Sequence, residues 1–60
     1  MDIETVLKTM DCRVTYLHRW LLWDDSMWCV YERKPYARTT NLLINTFSFE
    51  KAIEALVEEG

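Results

Sequence analysis

Four side chains near the middle of the chain have the types that hydrolytic chemistry uses. His18 could serve as a base, Ser26 as a nucleophile, and Asp24 or Asp25 as the group that orients the base. Acyl transfer also needs a sharp glycine-flanked elbow and amide donors for an oxyanion, and the single glycine is Gly60. Adjacent aspartates followed by serine bond their own backbone, so Asp24-Asp25-Ser26 reads as a turn and His18 as a half-exposed strand residue. Cys12, His18 and Cys29 are metal-ligand types, with Asp11 or Asp25 as a conceivable fourth. Their spacing matches no zinc pattern and there is no Cys-x-x-Cys, so packing thiols, reduced and buried, are expected. The lack of internal glycine also removes phosphate-cradling loops. The expectation is a non-enzymatic chain with no metal and no cofactor.

Binding chemistry is richer. The stretch WDDSMWCVYERKPYAR holds two of the three tryptophans and two of the three tyrosines, then turns basic around the only proline. Trp, Tyr and Arg dominate interface energetics, because a rigid amphipathic ring buries much area and a guanidinium can sit at its rim. Trp20, Trp23, Trp28, Tyr31 and Tyr36 are candidate apolar anchors, with Arg33, Lys34 and Arg38 as polar groups at the rim. The competing reading is that the rings fill a core and the basic residues solubilise a strand end.

The elements that position these residues follow from periodicity. In SFEKAIEALVEE, Phe49, Ala52, Ile53, Leu56 and Val57 keep amphipathic helical spacing, which predicts a helix over 49–59. Ser48 is its N-cap, and Gly60 can serve at its end. TTNLLINTF has strand composition, with Leu42 and Ile44 on one side and Leu43 and Phe47 on the other. MWCVYERK reads likewise, with Trp28 and Val30 opposite Met27, Cys29 and Tyr31; Pro35 ends it near Lys34. The first third is ambiguous. Ile3, Leu7, Met10, Val14, Leu17 and Leu21 form a helical seam, while VTYLHRWLLW is rich in β-branched and aromatic residues.

The preferred arrangement is a short helix over about 3–10 and a strand over about 14–23. A hairpin loop of three to five residues, with an aspartate in the left-handed region, leads to a second strand over 27–34. This gives an α+β fold: a three-stranded antiparallel meander with the C-terminal helix packed on one face. The alternative is a long N-terminal helix to about residue 22, a β-hairpin and the C-terminal helix. Leu17, Leu21 and Trp23 then lie on one side of the first strand and Tyr16, Trp20 and Leu22 on the other. One helix cannot cover both faces, so one aromatic face is expected to meet a partner or a second copy.

Length and charge bound the rest. Sixty residues make a single domain near the lower limit for folding without staples. The net charge is −3, distributed as −2 over residues 1–11, +2 over 12–49 and −3 over 50–60. A three-stranded sheet followed by an amphipathic helix, over residues 14–59, resembles the arm-type DNA-binding domains of phage integrases as an order of elements. That resemblance implies nucleic acid as the alternative partner, with aromatics stacking on bases and Arg or Lys on phosphates. The acidic whole argues against strong nonspecific binding of that kind. No apolar run is long enough to span a bilayer and no signal segment is visible, so a cytoplasmic protein is expected. The sum is a small protein-interaction module or homodimer, of the size of a phage or bacterial accessory and regulatory protein.

Overall fold

The computed structural model describes residues 2–58. It is an α+β domain: α1 (Ile3–Thr9), β1 (Arg13–Tyr16), β2 (Arg19–Asp24), β3 (Met27–Glu32), β4 (Asn41–Thr46) and α2 (Phe49–Val57). The four strands form one antiparallel meander in the order β1-β2-β3-β4. The expected three strands are corrected to four, because the stretch 14–23 is not one strand. It folds back at Leu17 and His18, pairing Val14 with Leu21 and Tyr16 with Arg19. No Gly, Asn or Asp marks this turn, and Leu17 itself adopts φ 54°. A large side chain rarely occupies that region, since its Cβ crowds the backbone.

The second turn has the chemistry the sequence announces, in a tighter form. Asp24 pairs with Met27, so the loop has two residues, not three to five. Asp25 and Ser26 adopt φ 51° and 63°, the signs of a type I′ turn whose twist matches the strands it joins. The long-helix alternative fails at Asp11, where φ is 49° and the chain leaves α1 for the sheet. β3 stops at Glu32, three residues before Pro35.

Capping explains the helix starts. The Asp2 carboxylate accepts from the Thr5 amide at 2.9 Å, and that bond holds the carboxyl below its usual range. Ser48 does the same for Lys51 at 3.3 Å. α2 is regular to Val57, and Glu58 is already extended; Glu59 and Gly60, with its expected capping role, lie outside the described residues.

Both helices pack on the same face of the sheet. Leu7 of α1 and Ala52 and Leu56 of α2 close over Leu21, Trp28 and Val30. Val14, Trp23, Ile44, Phe49 and Ile53 extend this core. Trp28 is 1% exposed, edge-on to its cross-strand partner Trp23 at 4.8 Å and tilted against Phe49 at 4.7 Å. The Lys8 ammonium lies 4.6 Å from the Trp23 ring centroid. It closes the core's rim with its apolar stem and a cation–π contact.

A second charged group joins the sheet to the end of α2. Arg19, on the helix-covered face, donates from Nε to Glu32 Oε2 at 2.9 Å and from Nη1 to the carbonyls of Ala55 and Glu58 at 2.8 and 2.6 Å. α2 has no basic residue in its last turn, so β2 supplies the cation that the negative end of the helix dipole favours.

Candidate interaction surface

Alternation along β2 and β3 sends every second side chain away from the helices. On that open face lie Trp20 and Leu22 of β2 and Met27, Cys29 and Tyr31 of β3, matched across the strands as Trp20 to Tyr31 and Leu22 to Cys29. Trp20 and Tyr31 stack with centroids 5.9 Å apart and planes 23° apart. Arg13 of β1 places its guanidinium carbon 5.7 Å from the Trp20 centroid. Trp20, Leu22, Met27 and Tyr31 are half-buried. Both helices pack on the opposite face.

Leu42 joins this face through a bulge. Val30 pairs with Ile44 but Tyr31 with Leu42, so Leu43 is an extra residue in β4. The bulge turns Leu42 to the open face and leaves Ile44 on the core side. This corrects the expectation that Leu42 and Ile44 share a side. Tyr16 is likewise corrected: it pairs with Arg19 and faces the helix side. There it lines a cleft of about 210 Å³ with Leu17, Arg19, Glu32 and Leu56.

The eight residues singled out in the sequence therefore do not form one surface. Trp20 and Tyr31 belong to the open face. Trp28 and Trp23 belong to the core, Trp28 being sealed from solvent, so neither indole is an anchor on the open face. Arg33, Lys34, Tyr36 and Arg38 lie in the connection 33–40, and Tyr36 is 99% exposed. Arg33 is engaged within that loop, donating from Nε to the Ala37 carbonyl at 3.4 Å. The residues that complete the open face, Arg13, Leu22, Met27 and Leu42, were not among the candidates. Strand alternation from Trp20 points to Leu22; Leu42 needed the bulge, which no sequence signal marks.

The candidate chemical groups are also dispersed. His18 sits in the turn before β2, while Asp24, Asp25 and Ser26 sit at its far end. A six-residue strand separates them, on the order of 20 Å at about 3.3 Å per residue. Cys12 is exposed between α1 and β1, and Cys29 is buried under the open face; both are unpaired. The expectation of two buried thiols thus holds for Cys29 alone. Its Sγ lies 3.5 Å from Asn45 Oδ1, and burial pushes the thiol pKa up. Burial raises the Tyr31 hydroxyl in the same way, so neither adds an anion to this face at neutral pH. Among the described residues no three His, Cys, Asp or Glu side chains converge as metal ligands. None of the helices there is long and apolar enough to cross a membrane.

Set against protein families, curated proteins and solved structures, the chain matches none. The outline shared with integrase arm-binding domains also departs at the sheet, which has a fourth strand and a helix before it.

Proposed function

We propose that this chain is a small, non-enzymatic protein-interaction module that binds through the open face of its sheet. The observation that carries the reading is the placement of both helices on one side. It leaves the Trp20–Tyr31 stack, with Leu22, Met27 and Leu42 around it and Arg13 at its edge, covered by neither helix. Antiparallel sheets that face water on one side normally carry polar residues there. A rigid aromatic pair with an aliphatic surround and an arginine at the rim is the composition that binding hot spots favour. The two unpaired thiols fit a reducing compartment such as the cytoplasm.

Affinity capture from the producing cells, with wild type and the Trp20→Ala/Tyr31→Ala variant compared, tests the reading. Wild type should retain a protein that the variant, folded by circular dichroism, loses, with retention persisting in high salt. Equal retention by both forms contradicts the proposal. Retention of nucleic acid that vanishes steeply with salt favours the alternative, phosphate-driven partner instead.

A further inference from the structure

β4 is an edge strand without the usual protection. Its outer edge has no neighbour in the sheet, and residues 39–49 contain no charged residue, no Pro and no Gly. Natural edges are commonly blunted by lysines, prolines or short length. The opposite edge, β1, follows that rule: it is four residues long and opens on Arg13. β4 has six residues, and its single edge device, the bulge at Leu43, leaves 44–46 in regular pairing with β3. Exposed apolar side chains lie along and just past it, with Leu43 41% and Phe47 78% exposed.

Beside this edge runs a groove of about 350 Å³, lined by Leu43 and Ile44 of β4, Ala55 and Glu58 of the α2 end, and Arg19. Lys51 falls on the same flank of α2, one turn before Ala55. With Glu58 just past the last helical residue, this side reads Lys51, Ala55, Glu58: a cation at one end, a methyl group in the middle, an anion at the other. Such a stripe complements itself when turned end for end. A two-fold axis through the middle of β4 does this, because it lays the two α2 helices antiparallel across the joined sheets. Lys51 of each copy then faces Glu58 of the other, over a groove that Leu43 of both copies fills.

We propose that β4 pairs antiparallel with β4 of a second copy of this chain, joining two four-stranded sheets into one of eight strands. The pairing satisfies the unpartnered backbone groups of the edge and covers Leu43. It uses a different surface from the open face and does not depend on that reading.

Sedimentation equilibrium at micromolar to sub-millimolar concentration tests it, with helix and strand content followed by circular dichroism. Wild type is expected to be a reversible dimer, and Leu43→Lys to weaken it roughly tenfold or more by placing a charge in the joint. Lys51→Glu, on an exposed position of α2, and Glu58→Lys, at the exposed residue just past its end, should each weaken the dimer about two- to fivefold. The double variant, which restores opposite charges across the axis, should recover it. Trp20→Ala should leave association unchanged. A monomeric wild type overturns the proposal, as does a dimer indifferent to Leu43→Lys or a double variant that fails to recover. Loss of the dimer on Trp20→Ala, with Leu43→Lys silent, would place self-association on the open face and overturn the edge pairing.

Discussion

At the scale of single residues, Arg19 performs the most structural work per atom. It satisfies two carbonyls at the end of α2 and one carboxylate on β3 from a position in β2. Its side chain and that of Glu32 are 21% and 15% exposed, so water screens the pair only weakly. Removing the guanidinium leaves Glu32 without its partner and the helix end without a cation. Arg19→Ala should therefore cost about 2–3 kcal/mol. Because a domain of this size shifts by about 4–8 °C per kcal/mol, its melting temperature should fall by about 10 °C or more. Calorimetry of this variant beside Arg19→Lys checks the assignment: a lysine cannot serve three acceptors in a planar fork and should recover only part of the loss.

At the scale of elements, the sequence was most readable where one periodicity ruled. Phe49, Ala52, Ile53 and Leu56 point to α2, and Asp25 takes the left-handed conformation that its turn chemistry announces. The split of β2 and β3 into a core side with Leu21, Trp23, Trp28 and Val30 and an open side with Trp20, Leu22, Met27 and Tyr31 follows from simple alternation. What was hidden has a common cause: tertiary packing forces the chain into shapes its local chemistry does not favour. The Leu17–His18 turn lies within a run that reads as one strand, and the Leu43 bulge lies within another. Of the eight candidates, Trp23 and Trp28 fall on the core side by alternation and four lie in the connection 33–40, because composition identifies aromatic and basic residues but not the face that receives them. Leu17 itself supplies a test. With φ 54° and 75% exposure, its side chain adds local backbone strain and little burial. Leu17→Gly should stabilise the fold by about 0.5–1 kcal/mol, since glycine reaches that region without a clash. Urea denaturation giving a loss of stability instead would mean that the Leu17 side chain holds the adjoining cleft together.

At the scale of the whole molecule, the decisive feature is one-sidedness. A chain of 60 residues has little stability to spare, and this one spends two helices on the same side of its sheet. The core so formed is compact: Trp28, Leu21 and Val30 are sealed, and no buried side-chain polar atom among the described residues lacks a partner. The far side retains a stacked tryptophan and tyrosine that lie outside this core. The sharpest measurement is urea unfolding of Trp28→Ala beside Trp20→Ala. Truncating Trp28 removes about 3–5 kcal/mol and should leave no folded baseline, whereas truncating Trp20 forfeits about 1–2 kcal/mol of stacking and cation–π contact and should leave a cooperative transition. Equal collapse of both variants would mean that the outer aromatic pair belongs to the folding core, and a binding face made from it would be contradicted.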